Sequence, residues 1–193
     1  MEGNREPTMG YLILVTGGSR SGKSDYARLL AEALPGPRVF MATCPVVDDE
    51  TAERIRRHRI ERAETLWDTV EEPLNPATAI RETSRYNVVL IDCLTLWINN
   101  ILYYSLQEGT DIDEDHIAAR AVELADACAE TQGTVILVTN EVGCGIVPED
   151  KITRLYRDLV GRCNRIMGGH ADEVTLVSCG IPLHLKKACR DHS

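Results

Sequence analysis

A glycine-rich run near the beginning of the chain has the residue types of a phosphate-binding loop. It meets the pattern G-x4-G-K-[ST] and consists of Gly17, Gly18, Ser19, Arg20, Ser21, Gly22, Lys23 and Ser24. Glycines let successive backbone N–H groups point at phosphate oxygens, and a following helix adds the positive end of its dipole. Lys23 is a candidate catalytic residue that would bring positive charge to the outer phosphates, and Ser24 offers a hydroxyl ligand for Mg²⁺. This run, called here the phosphate cradle, predicts binding of a nucleoside triphosphate.

An acidic residue, Asp92, follows a later apolar segment and is the second candidate for the site. A carboxylate at such a strand end can hold the magnesium shell through water or act on a substrate hydroxyl. Asp92 could instead cap the helix that is predicted to begin near Leu94. We favour a role in the site, because cradle, apolar strand and acid follow in the order expected of a P-loop protein. Ser24 and Asp92 are thus the predicted Mg²⁺ ligands.

A histidine lies within a strongly charged segment, and its neighbours favour binding of an anion. Arg54, His58 and Arg62 are spaced by four residues, so a helix would place them on one face, with Arg57 beside them. An imidazole nitrogen can attack phosphorus while arginines neutralise the developing charge. Glutamates in the same segment could instead pair with these arginines on a solvated helix. The residues alone leave both interpretations open.

The segment Thr139-Asn140-Glu141-Val142 follows another predicted strand and excludes one class of function. It lacks the lysine and the second aspartate of the guanine-reading N-K-x-D motif, which disfavours a regulatory GTPase. The loop from Asn140 to Gly145 could position substrate or nucleotide, or it could be a tight structural turn. We assign it no catalytic role from the sequence.

The elements that must position these residues alternate between short apolar runs and longer helical patterns. Strands are predicted over residues 11–16, 38–43, 87–91, 134–139 and 173–178, with a short last strand over 182–186. Helices are predicted over residues 23–34, 49–64, 77–85, 94–106, 114–131 and 151–167. This alternation predicts an α/β fold, a single P-loop NTPase-like domain with a mainly parallel sheet and helices on both faces. Loops after the strands then share one edge, where ligands bind.

Composition limits the classes of function further. The chain of 193 residues suits one domain, predicted over residues 11–187 between a disordered extension (1–10) and a tail (188–193). A net charge of -9 argues against nucleic acid as a partner, and no apolar stretch reaches membrane-spanning length. No secretory signal is evident, so we expect a cytoplasmic protein. Seven cysteines without a Cys-x-x-Cys pair argue against structural zinc, and we expect most of them to be buried.

Five segments together resemble a known family over nearly the whole chain. They are VTGGSRSGKS (15–24), MATCPVVDDETAERIRRHRIER (41–62), VVLIDCLTLWINN (88–100), VTNEVGCGIVPED (138–150) and DEVTLVSCGIPLHLK (172–186). This combination resembles the bifunctional adenosylcobinamide kinase/adenosylcobinamide-phosphate guanylyltransferase family of cobalamin biosynthesis. The resemblance implies that ATP or GTP phosphorylates adenosylcobinamide, and that GTP then guanylylates an enzyme histidine. Transfer of this GMP to adenosylcobinamide phosphate would give adenosylcobinamide-GDP.

The resemblance also implies which residues do this work. The nucleophilic histidine corresponds to His58. The segments that contact nucleotide correspond to the cradle, to Ala42, Thr43 and Cys44, to Arg59, Ile60, Glu61 and Arg62, and to Glu71 and Asp92. Ala63 stands where many members have proline, and the stretch up to Trp67 is one residue longer than in some relatives. Glu72 therefore competes with Glu71 for its position.

Ser24 and Asp92 predict Mg²⁺ as cofactor, and the resemblance implies a homo-oligomer, for which we expect a trimer. Two other functions remain possible from the sequence. A monofunctional small-molecule kinase would keep the cradle without using His58, and a regulatory protein would bind nucleotide without turnover.

Overall fold

The computed structural model describes residues 10–44 and 67–187. Three predicted segments lie outside the described residues. They are the extension over 1–10 apart from Gly10, the tail over 188–193, and the helix over 49–64, which contains His58, Arg59, Ile60, Glu61 and Arg62. Seven strands are described: β1 (Tyr11–Gly17), β2 (Arg38–Ala42), β3 (Trp67–Glu71), β4 (Val88–Asp92), β5 (Thr134–Val138), β6 (Glu173–Ser178) and β7 (Ile181–Lys186). The α-helices in the same ranges are α1 (Lys23–Ala33), α2 (Pro76–Glu82), α3 (Leu94–Glu108), α4 (Glu114–Glu130) and α5 (Lys151–His170).

The strands form one sheet in the order β3-β2-β4-β5-β1-β6-β7. Six strands are parallel, and only β7 pairs antiparallel, with β6. Strand β5 thus lies between β1, which leads into the cradle, and β4, which ends at Asp92. The predicted mainly parallel sheet is confirmed, and its order brings the ends of β1, β5 and β4 side by side.

Alternate residues of the central strands enter two separate apolar clusters, one on each face of the sheet. On the first face, Leu12 and Leu14 of β1 pack with buried side chains of α2, α3, α4 and α5. On the second face, Ile13 and Val15 pack with Ala27 and Ala31 of α1. Successive side chains of a strand point to opposite faces, so a strand that is apolar throughout must be covered on both sides. The predicted coverage by helices on both faces is confirmed.

Strand β3 has no counterpart among the predicted strands. Its sequence, Trp-Asp-Thr-Val-Glu, has only two apolar residues, and it pairs with β2 alone at one edge of the sheet. Trp67 is buried, whereas Asp68 and Thr69 are exposed. An edge strand that contributes so little to the core does not need an apolar run, so the sequence pattern gave no signal for it.

Strand β7 confirms the predicted last strand and forms the other edge. All six of its residues are exposed, including Ile181, Leu183 and Leu185. Pro182 cannot donate a backbone hydrogen bond, which a strand paired on one side tolerates. The expectation that most cysteines are buried is wrong for the described part of the chain, where only Cys128 and Cys163 of six free cysteines are buried.

Candidate nucleotide-binding site

The phosphate cradle lies between the end of β1 and the first turn of α1, as predicted. Gly17 closes the strand, and a side chain there would overlap the carbonyl oxygen of Val177 on β6. Gly22 precedes the helix with a φ of 89°, in the left-handed region that favours glycine. The loop between them is exposed from Gly18 to Arg20, so its backbone is accessible to a ligand.

Two contacts hold the cradle in shape. The Ser21 N–H donates to the Gly18 carbonyl at 3.2 Å, and the Ser21 carbonyl accepts from the N–H of Gly180 at 2.8 Å. Gly180 lies in the turn between β6 and β7, so this turn packs against the cradle. The turn was not predicted to take part in the site, and only the tertiary contact identifies it.

Lys23 begins α1 and keeps its ammonium group at the cradle. Its Nζ donates to the Gly18 carbonyl at 3.1 Å, and Ser24, the next residue, is exposed. A lysine held in this way places a positive charge beside backbone N–H groups, and together these attract phosphate. The roles of Lys23 and Ser24 stay predictions.

Strand register aligns the other predicted residues along the same edge of the sheet. Ala42 of β2 is level with Asp92 of β4 and with Glu71 of β3. Asp92 is level with Val138 of β5, which is in turn level with Val15 of β1. These strand ends therefore line up beside the cradle, although they lie far apart in the sequence.

The Cys93 thiol follows Asp92 directly in the sequence, and charges at this edge of the sheet shift its pKa. Burial raises the pKa of Cys93, and the neighbouring negative charge of Asp92 raises it further, whereas the positive charge of Lys23 lowers it. Ser24 and Asp92 would supply oxygen ligands, which Mg²⁺ prefers, and Mg²⁺ commonly takes only one or two protein ligands beside phosphates and water.

The side chain of Thr43 forms hydrogen bonds with the backbone of Cys93, the residue after Asp92. Its hydroxyl donates to the Cys93 carbonyl at 2.8 Å and accepts from the Cys93 N–H at 2.9 Å. The Thr43 carbonyl accepts from Asn100 at 2.8 Å, and Thr43 is fully buried. This threonine therefore fixes the junction between β4 and α3, and the contact of Thr43 with nucleotide stays a prediction.

The two competing glutamates after β3 have different environments. Glu72 accepts from the N–H groups of Leu74 and Asn75 at 2.9 and 2.7 Å, so it shapes the turn before α2. Glu71 ends the strand, level with Ala42. These positions favour Glu71 over Glu72 as the residue at the nucleotide site, and the assignment stays a prediction.

The loop after β5, whose role the sequence left open, contacts the cradle directly. The N–H of Glu141 donates to the Gly17 carbonyl at 3.2 Å, and the hydroxyl of Thr16 donates to Glu141 Oε1. A short 3-10 helix, Val142–Cys144, follows. A glutamate after a strand is too common for its sequence position alone to mark a site. Glu141 is also 125 residues away from Thr16 in the sequence, so no local pattern predicts their contact.

Two solved structures share the fold at low sequence identity. A KaiC-like protein from Pyrococcus horikoshii OT3 superposes with a TM-score of 0.56 and 19% identity, over 96% of this chain and 82% of that protein. The flagellar accessory protein FlaH from Methanocaldococcus jannaschii gives 0.53 and 14%, over 94% and 80%. Together, the fold and the cradle define a protein of the P-loop NTPase-like class.

The sequence comparisons identify the family. Residues 13–185 match the family described as cobinamide kinase / cobinamide phosphate guanyltransferase. The bifunctional adenosylcobalamin biosynthesis protein CobU of Escherichia coli (strain K12) is 41% identical over 188 residues, covering 91% of this chain and 99% of the relative. CobP of Pseudomonas aeruginosa is 35% identical, covering 90% and 96%. The chain therefore belongs to this family, and the enzyme class predicted from the sequence is confirmed.

Proposed function

We propose that this chain phosphorylates adenosylcobinamide and then transfers GMP from GTP to the phosphate that it has made. The phosphate cradle carries this proposal, because its lysine and backbone N–H groups would bind a polyphosphate at the edge of the sheet where Asp92 ends β4. ATP or GTP would serve the first step and GTP the second, with Mg²⁺ held by Ser24 and Asp92. The description of the matched family names both activities, and the relatives are named as bifunctional proteins of adenosylcobalamin biosynthesis, which supports the proposal.

The second step would pass through a covalent intermediate at His58. An imidazole nitrogen attacks the α-phosphorus of GTP, the bond to the β-phosphate oxygen breaks, and pyrophosphate leaves. Arg59 and Arg62 would neutralise charge on the phosphates during the attack. A phosphate oxygen of adenosylcobinamide phosphate then attacks the same phosphorus and releases the histidine. The phosphorus–nitrogen bond keeps the guanylyl group reactive until this acceptor binds.

The intermediate is tested by incubating the protein with Mg²⁺ and GTP that carries a radioactive α-phosphate. We expect an acid-labile GMP adduct in the wild type, no adduct in His58→Ala, and an unchanged adduct in His170→Ala, a histidine at the exposed end of α5. EDTA should prevent labelling, and adenosylcobinamide phosphate should release the label. Failure of the wild-type protein to form an adduct would refute the guanylyl-histidine step.

The same measurements separate this function from the two alternatives. A monofunctional kinase would consume triphosphate in the presence of cobinamide without labelling His58. A regulatory protein would bind nucleotide and show neither activity. Corrinoid-dependent triphosphate consumption together with the adduct is expected only of the bifunctional enzyme.

We further propose a cytoplasmic homo-oligomer with three subunits. No described helix is long and apolar enough to cross a membrane. The exposed apolar side chains of β7 are of the kind that subunit interfaces bury, which supports self-association. Light scattering after size exclusion should give about three times the chain mass of 21.4 kDa. A mass equal to one chain at micromolar concentration would contradict the trimer.

A further inference from the structure

Glu141 lies in the loop that follows β5, the strand between β1, which leads into the cradle, and β4, which ends at Asp92. Strand β5 lies between β1 and β4, so the chain that leaves β5 passes between the cradle and the strand end that bears Asp92. Glu141 is the third residue after Val138, which is level with both Asp92 and Val15. A group at this place can reach a molecule bound at the cradle.

Glu141 is attached to the cradle at two points. Its backbone N–H donates to the Gly17 carbonyl at 3.2 Å. Its carboxylate atom Oε1 accepts from the hydroxyl of Thr16, which is only 4% exposed. Glu141 as a whole is half-buried and is therefore not enclosed by the protein.

The segment before Glu141 is held by three hydrogen bonds, which favours a fixed direction for the side chain that follows. The Thr139 N–H donates to the Val15 carbonyl at 3.0 Å, and its hydroxyl donates to Asn164 Oδ1 at 2.6 Å. Asn164 Nδ2 donates in turn to the Asn140 carbonyl at 3.1 Å. Asn164 of helix α5 therefore holds the chain at the end of β5 by hydrogen bonds to Thr139 and Asn140. These bonds and the hydrogen bond from Thr16 orient Glu141.

A negative charge at this position is not needed to hold the loop. The amide oxygen of a glutamine would accept the same hydrogen bond from Thr16, since both oxygens are good acceptors. A carboxylate beside a polyphosphate site also adds repulsion between like charges. A negatively charged residue here is therefore better explained by chemistry than by packing.

We propose that Glu141 is the general base of the phosphorylation step, a proposal that rests on the kinase half of the proposed function. Glu141 accepts the proton of the acceptor alcohol while the alcohol oxygen bonds to the γ-phosphorus of the nucleotide. The bond between the γ-phosphorus and the β,γ-bridging oxygen breaks, and its electron pair leaves with the nucleoside diphosphate. The protonated carboxyl group of the half-buried Glu141 then releases this proton to water.

The two chemistries of the family differ in their need for such a base. An alcohol must lose a proton on phosphorylation, so a positioned carboxylate accelerates that step. In the guanylyl transfers the nucleophiles are an imidazole nitrogen and a phosphate oxygen, and neither has a hydroxyl proton to lose. Glu141 should therefore matter for the kinase step and not for guanylylation of His58.

The test compares Glu141→Gln with Thr16→Val. Glutamine keeps the acceptor for Thr16 and removes the base, whereas valine removes the hydrogen bond and keeps the carboxylate. We expect Glu141→Gln to lower kcat for phosphorylation of cobinamide by about 10²–10⁴-fold, with KM for the triphosphate within threefold of wild type. Formation of the GMP adduct should be unchanged. Thr16→Val should lower kcat less than tenfold, and both variants should keep the circular dichroism spectrum of the wild type.

Each result has a distinct meaning. A Glu141→Gln protein with wild-type kinase activity overturns the proposal, and so does equal loss of phosphorylation and of adduct formation, which would indicate a damaged cradle. If kcat for phosphorylation falls further in Thr16→Val than in Glu141→Gln, the hydrogen bond between Thr16 and Glu141 is the important feature. That result would also overturn the proposal. Absence of kinase activity in the wild type would instead refute the kinase half of the proposed function.

Discussion

The ammonium group of Lys23 and the backbone N–H groups of the cradle act on the same ligand atoms, the oxygens of a polyphosphate. Both proposed half-reactions use a triphosphate, and both build up negative charge on oxygens that leave phosphorus. The lysine is held at the cradle by the Gly18 carbonyl at 3.1 Å. Its charge is therefore expected to serve both steps, in contrast to the selective effects expected at His58 and Glu141.

Lys23→Ala should lower the rates of phosphorylation and of GMP-adduct formation, each by at least about 10²-fold, because a preorganised charge on the transferring group is lost. Steady-state phosphorylation of cobinamide and the labelling assay measure the two rates. Lys151→Ala, which removes an exposed lysine at the start of α5, is the matched control and should leave both rates unchanged. Normal turnover of Lys23→Ala in both assays would show that the cradle is not the triphosphate site.

At the scale of elements, two of the described helices, α4 and α5, begin with a side chain that accepts from free backbone N–H groups. Asp113 caps α4 by accepting from the N–H groups of Asp115 and His116, and Asp150 caps α5 by accepting from Thr153. Helix α5 carries Asn164, which clamps the end of β5.

The cap of α4 gives a prediction with a defined pH dependence. Hydrogen bonds from the backbone and the side chain of His116 lower the pKa of Asp113 in the folded protein. A lowered pKa means that its stabilising effect is present above about pH 4, the ordinary carboxyl range, and is lost as pH falls through the folded value. Asp113→Ala should lower Tm by roughly 2–4 °C at pH 7, and this difference from wild type should shrink under acid.

Thermal denaturation at pH 7 and near pH 3 measures this effect. Asp113→Asn keeps an oxygen acceptor without the charge, so its Tm at pH 7 should lie between those of the wild type and Asp113→Ala. A difference between Asp113→Ala and the wild type that does not change with pH would contradict an ionic contribution to the cap.

At the scale of the molecule, the two apolar clusters on the faces of the sheet provide the driving force for folding. The larger cluster joins four helices to one face of the sheet, and Leu124 of α4 is fully buried in it. Val122 lies on the same helix but is 39% exposed. These two residues form a matched pair for testing how far stability depends on the core.

Leu124→Ala should reduce the free energy of unfolding by about 2–5 kcal/mol, because it removes buried methyl groups and leaves a cavity. Val122→Ala should change it by roughly 0.5 kcal/mol or less, as exposed substitutions usually do. Urea denaturation followed by circular dichroism measures both values. Similar losses in the two variants would mean that the packing around α4 is not as described.

The sequence by itself determined the cradle, the central strands and most helices, because their signals are local. Gly17, Gly22 and Lys23 meet a spacing that backbone geometry imposes, and strands buried on both faces must be apolar throughout. The resemblance of five segments added the family and its chemistry, including the prediction for His58.

Only the tertiary structure decided which strand ends lie together. The order of the sheet places β5 between β1 and β4, and the amphipathic edge strand β3 is held by pairing with β2 rather than by its own apolar content. The contact between Thr16 and Glu141 joins residues 125 positions apart. No local pattern encodes such a contact, because it depends on which strands pair and in which register.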